Sequence, residues 1–227
     1  MQRPTPNKRL AKAGAAATIA IICGIGCGHV GKGSKPPVDD ALVTQCIRGD
    51  EERVNYLLDH GSDPNAVSRL GTPAILAACE NVRRSEGVVD ALLSKGADPN
   101  TIGKVDITPL MLAIDSRNDG AVNSLIAHGA RVDAETSEGS TALFSAATND
   151  DVIAIDMLLT HGAAINHQAP NGLTPLMMAA GKGNVKAVKA LLAHGANPLL
   201  KSTKGRTAYE IAIRRHHADV AQILRRT

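Results

Sequence analysis

Several residues in this chain could do chemistry. Gly26, Gly31 and Lys32 in G-C-G-H-V-G-K-G (26–33) meet part of a phosphate-loop pattern, in which backbone N–H groups cradle phosphate, a Lys reaches it and a hydroxyl holds Mg²⁺. Gly33 stands where the hydroxyl is needed, Ser34 comes one residue late, and Lys35-Pro36-Pro37 follows. Such a loop must open a helix, which a Pro-Pro pair does not permit, so no nucleotide site is expected. His60, His128, His161 and His194 each precede a glycine. Copies stacked about 10 Å apart share no ion when a Zn–N bond is about 2 Å; they read as helix-end residues whose rings meet terminal carbonyls. His216 and His217 are adjacent, so on a helix they point apart. H-E-x-x-H, nucleophile-elbow and C-x-x-C patterns are all missing. The expectation is a protein without catalytic residues, metal site, cofactor or small-molecule substrate.

The N-terminus offers a different chemistry. Residues 1–12 carry Arg3, Lys8, Arg9 and Lys12 and no acid, and residues 13–28 carry no charge. A basic segment, then a short apolar run, then small residues describes an export signal, and an uncharged run this short is less than the roughly 20 apolar residues of a membrane span. The stretch G-I-G-C places Gly26 before Cys27 and resembles a bacterial lipoprotein signal. The resemblance implies that Cys27 becomes lipidated, with Cys23 as second choice. The alternatives are an ordinary signal or an uncleaved anchor. Residues 1–27 are thus expected to be an export segment and residues 28–37, rich in Gly, Lys and Pro, a tether. Residues 38–227 form the folded domain.

Charge divides the same way. The chain carries 25 Lys+Arg and 22 Asp+Glu, net +3, yet the first 26 residues hold four bases and no acid, so the remainder is net −1. That excludes a general nucleic-acid binder, which needs a dense basic face. One local exception runs from residue 199 to 227, where Lys201, Lys204, Arg206, Arg214, Arg215, Arg225 and Arg226 face only Glu210 and Asp219. With no Trp, one Phe and two Tyr, the large aromatic core anchors are missing. Many small Ala and Leu contacts must replace them.

The elements that position these residues follow from two interlocked marks. LLDHGSDPNA, LLSKGADPNT, LIAHGARVDA, LLTHGAAINH and LLAHGANPLL carry Gly61, Gly96, Gly129, Gly162 and Gly195. Between them, GTPAILAA, ITPLMLAI, STALFSAA, LTPLMMAA and RTAYEIAI carry Thr72, Thr108, Thr141, Thr174 and Thr207. Both settle to a spacing of 33 residues, the mark of a repeat array. Thr72, Thr108 and Thr174 suit helix N-caps followed by Pro at the first helical position. The glycines suit left-handed residues ending second helices. D-P-N suits a turn. Paired alanines allow close helix approach, Met111, Met177 and Met178 suit gap-filling, and Cys79 aligns with Thr148 one step toward the surface. Cys46 and Cys79 are expected to be free thiols.

These motifs resemble the T-P-L-H-x-A-A and L-L-x-x-G-A-D-x-N signatures of the ankyrin repeat family. The resemblance implies an all-α solenoid of stacked helix–turn–helix units with hairpin loops. It divides into an N-terminal cap at 38–67, four full repeats over about 68–200 and a C-terminal cap at 201–227. The first full repeat carries extra residues near E-N-V-R-R-S-E-G. Where the family often has Asp in the hairpin, seven residues past the glycine, this chain has Gly103, Thr136, Ala169 and Ser202.

The resemblance further implies a protein partner held by hairpin tips and the exposed ends of first helices, with the protein itself a monomer. Carried over by alignment, the tip positions are Arg69, Lys104, Val105, Glu135, Ser137, Glu138, Gln168, Asn171, Lys201 and Lys204. The helix positions are Glu80, Asp115, Ser116, Thr148, Asn149 and Lys182, with Cys79 and Gly181 beside them. Acidic Glu135 and Glu138 mid-chain against basic Lys201, Lys204 and Arg206 would orient a partner of opposite polarity. The function expected is a protein-binding scaffold in the bacterial cell envelope, tethered to the membrane and facing periplasm or exterior. The alternative is a cytoplasmic or delivered effector that regulates or inhibits a partner enzyme.

Overall fold

The computed structural model describes residues 39–80 and 85–227. The phosphate-loop-like stretch, Cys23, Cys27, the tether and the middle of the insertion lie outside them. Among the described residues the chain folds into twelve α-helices in six consecutive pairs. They are α1 (Asp40–Arg48) with α2 (Glu51–Asp59), α3 (Ala74–Cys79) with α4 (Ser85–Ser94), and α5 (Pro109–Asp115) with α6 (Asp119–Ala127). There follow α7 (Ala142–Thr148) with α8 (Val152–Thr160), α9 (Pro175–Lys182) with α10 (Val185–Ala193), and α11 (Ala208–Arg214) with α12 (Ala218–Leu224). Among the described residues the one 3₁₀ turn spans Lys104–Asp106 and the only β-pairing is the isolated bridge Val67–Pro73.

Each helix has ten residues or fewer, too short to hold in water by itself, so stacking supplies the stability. The first helices α1, α3, α5, α7, α9 and α11 pack each on the next, and the second helices form a parallel layer. Ala77, Ala78, Ala146, Ala147, Ala179 and Ala180 lie sealed between the layers at 0–1% exposure; side chains this small let helix axes approach. Leu92, Leu125, Leu158 and Leu191, all fully buried, fill the seam from the second layer.

Of the expected threonine caps, Thr108 and Thr174 form and Thr72 does not. The hydroxyls of Thr108, Thr174 and Thr207 accept from the N–H of Met111, Met177 and Glu210. Thr72 does not cap: Ser68 donates its N–H to the Thr72 carbonyl and Ala74 to that of Ala66. This pairing holds Thr72 and Pro73 extended, so Pro73 takes the cap position. Thr141 sits at an N-cap without a side-chain bond, its buried hydroxyl unpartnered. At α10 the cap comes from the preceding repeat. Asn184 turns its amide to the carbonyls of Ala147 and Thr148, and Asp150 Oδ1 accepts the Ala187 N–H at 2.7 Å.

The glycines ending the second helices all have positive φ, from 85° at Gly162 to 95° at Gly61. An equivalent position just past the first helices is left-handed too, and there the residues are Gly49, Arg117, Asp150, Gly183 and His216. The D-P-N asparagines do more than turn the chain. Asn65 donates to the Gly96 carbonyl and accepts from Asp98 N–H. Asn100 does the same with Gly129 and Arg131, and Asp133 and Asn166 accept from Ala164 and Asn197. These bonds form a ladder from repeat to repeat.

The histidine expectation holds for three of four rings. His60, His128 and His161 donate Nδ1–H to the carbonyls of Tyr56, Ser124 and Met157 at 2.7–2.9 Å, whereas His194 pairs with Asp156 at 2.8 Å. Cys46 and Cys79 are free. Cys79 is fully buried rather than a step toward the surface, because α3 packs against both α1 and α5 and the thiol is small enough for that seam.

Candidate interaction face

The candidate face is made of the hairpins before α3, α5, α7, α9 and α11 and the ends of those helices; at the last two hairpins, residues of both line one groove. The hairpins are built alike: Ser68, Thr136, Ala169 and Ser202 each donate N–H to the carbonyl four residues on, at 2.9–3.0 Å. The Asp expected from the family has two replacements. The hydroxyls of Ser68, Thr136 and Ser202 accept the N–H four residues on, at 3.1–3.3 Å. At Ala169, which has no hydroxyl, Asn171 Oδ1 takes over by accepting the Leu173 N–H at 2.9 Å. Gly103 closes its turn by bonding Ile107 at 2.8 Å, leaving Asp106 at φ 60° where the other tips have glycine.

Several tip residues are occupied within the fold. Arg69 folds back on the first turn of α1, its side chain 2.9 Å from Asp40. Gln168 donates to the carbonyls of Gly172 and Lys201, joining two tips, and the Asn171 carbonyl accepts from Thr203. Lys104 is half-buried with its ammonium enclosed and unpartnered; the Val105 side chain lies outside the described set. Glu135, Ser137, Glu138, Lys201 and Lys204 are exposed. Glu135 reaches to 3.7 Å from His167, whose Nε2–H donates to the Gly139 carbonyl and whose ring meets Phe144 edge-on.

The helix ends form a row that changes sign along the stack. Glu80 caps α3, Asp115 ends α5 with Ser116 beside it, Thr148 and Asn149 close α7, Gly181 and Lys182 close α9, and Arg214 and Arg215 close α11. Partial burial pushes the Glu80 carboxyl above its usual range. Burial does the same to Asp115, opposed by hydrogen bonds from Asn149 and Ser145; the Asn149 amide lies 3.0 Å away.

Between the last two hairpins and helices α9 and α11 lies a groove of about 360 Å³. Met178 lines it, half-exposed, rather than filling the core as Met111 and Met177 do. Arg206, Arg214 and Arg215 also line it. Motif alignment missed the last two as site residues, although they stand at the same offset from Thr207 as Gly181 and Lys182 do from Thr174. Among the described residues no three His, Cys, Asp or Glu side chains converge as a metal site would need, and no helix is long and apolar enough to cross a membrane.

A family model, ankyrin repeats in three copies, matches residues 85–169 and 152–226, together more than half of the chain. Among curated proteins no match is found.

Proposed function

Because the chain belongs to the ankyrin repeat family, we propose that it is a protein-binding scaffold gripping its partner along the face of hairpin tips and first-helix ends. The observation that carries this is the row Glu80, Asp115, Lys182, Arg214 and Arg215 on one face. These ionisable groups sit at the ends of rigid stacked helices rather than on the outer helical layer. An extended repeat surface of this kind suits a macromolecule rather than a small metabolite. Its oppositely charged halves would set the orientation and on-rate of the partner more than the affinity. A photo-crosslinking residue at Thr148 or Lys182 is expected to trap one protein partner from native membranes, and the same residue at exposed Asn123 or Lys189 on the outer helices is not. Equal trapping from both layers would overturn the assignment of the face.

For the N-terminus, the reading is export followed by lipid attachment at Cys27 and an extended tether to the repeats. Its support is the basic, then uncharged, then small-residue order of residues 1–28. Labelled fatty acid should enter the protein and be lost in Cys27→Ala. Retention in that variant with loss in Cys23→Ala moves the site, and no incorporation at all favours the cytoplasmic effector.

A further inference from the structure

We propose that the groove between the fourth full repeat and the last helix pair holds an acidic segment of the partner protein, with one apolar side chain of that segment seated on its floor. The inference rests on the scaffold reading above and names the partner chemistry at one end of the face. Lys182, Lys204, Arg206, Arg214 and Arg215 line the groove, and no carboxylate does. None of the five is in an ion pair among the described residues. Five like charges around one recess repel one another until an anion enters. The floor is apolar: Leu173, Met178 and Ile211 are half-buried, and Met177 is buried beneath.

Gly181 keeps this floor open. A Cβ there would stand 3.3 Å from an Ile211 methyl, and the equivalent residue is Asp115, Thr148 or Arg214 in other repeats. A recess of about 360 Å³ is at the lower end of ligand-pocket size. It accepts a few side chains but neither a bilayer surface nor a duplex. A nucleic acid running on along the face would meet Glu135, Glu138 and Asp115, which repel phosphate. The chain's own basic residues 1–12 have the wrong sign to fill the groove.

The test uses the full chain and four kinds of fluorescent probe: a Glu/Leu peptide, the same peptide with Ser for Leu, a Lys/Leu peptide, and a single-stranded oligonucleotide. Vesicles containing phosphatidylglycerol are run alongside. The Glu/Leu peptide is expected to bind saturably, to weaken as salt rises, and to lose at least about tenfold in affinity in Lys182→Glu/Arg214→Glu. Replacing Leu by Ser should weaken it as well. Gly181→Leu, which fills the floor without changing charge, should also block it while circular dichroism stays unchanged. Failure of the Glu/Leu peptide to bind, equal binding of the Lys/Leu peptide, or tighter binding of oligonucleotide or vesicles that is lost in the same variants overturns the proposal. If Thr148 crosslinks the native partner as well in the charge-reversed protein as in the parent, this inference falls and the scaffold reading stands. If no position on the face crosslinks anything, the scaffold reading itself falls.

Discussion

His216 shows how much one residue's backbone can matter. It has φ 62°, a conformation that costs an L-residue about 1–2 kcal/mol and glycine almost nothing. Its side chain is exposed and makes no hydrogen bond among the described residues. His216→Gly should therefore raise the unfolding free energy by about 1 kcal/mol in urea melts, glycine's extra unfolded-state freedom offsetting part of the gain. Asp150 shares the conformation at φ 55°, but its carboxylate caps α10 through Ala187. Asp150→Gly should lose about 1 kcal/mol net, a charged hydrogen bond being worth more than the strain relieved. The two thiols respond to pH. Burial and the nearby Asp39 charge push Cys46 up to about 12, and burial pushes Cys79 up as well. The folded state thus keeps the thiols protonated. Their contribution is intact below the ordinary thiol value near 9 and is lost above it. Chemical-denaturation midpoints should fall between pH 9 and 12, with Cys46 alone costing about 1.4 kcal/mol per pH unit. Cys46→Ala should flatten that slope in proportion. None of these left-handed positions except the glycines was legible from residue type, because Arg, Asp and His adopt φ > 0 only when neighbours hold them there.

Among helices, the same cap residue does different work in different repeats. Thr174 is buried and its hydroxyl accepts the Met177 N–H at 3.2 Å, while Thr141 is equally buried with an unpartnered hydroxyl. Thr174→Val should destabilise by about 1–2 kcal/mol. Thr141→Val removes a buried unsatisfied group at nearly constant volume and should leave stability unchanged or raise it by up to about 1 kcal/mol. Thermal unfolding of the two variants side by side decides between them; a similar loss in both would mean that Thr141 also caps α7. The T-P pattern correctly located α5 and α9. It put the cap of α3 one residue early because the Val67–Pro73 bridge, a contact between segments, holds Thr72 extended. The sequence D-P-N marks a local turn at Asn65 and Asn100, yet the inter-repeat ladder that these two form with Asp133 and Asn166 exists only once two repeats are stacked.

Across the whole molecule the stacking converts a linear order of charges into a spatial one. Glu135 and Glu138 occupy a central tip, Lys201 and Lys204 the last, and the helix-end row runs from Glu80 and Asp115 to Lys182 and Arg215. Reversing Glu135, Glu138, Lys201 and Lys204 together should slow association with the native partner by about tenfold at low salt and much less at high salt. Stopped-flow on-rates that do not move would show these charges to be merely a solvated rim. By itself the amino-acid sequence determined the architecture: the 33-residue period, the glycine stops, the paired alanines and the family they mark. Those signals are local or repeat with the chain, so they survive without a third dimension. Only the tertiary structure decided which carried-over residues remain free for a partner, because that depends on neighbours one repeat away. Gln168 and Asn171 are bound up in joining hairpins, Arg69 is folded onto Asp40, and Arg214 and Arg215 are brought beside Lys182 to complete a groove that no single repeat contains.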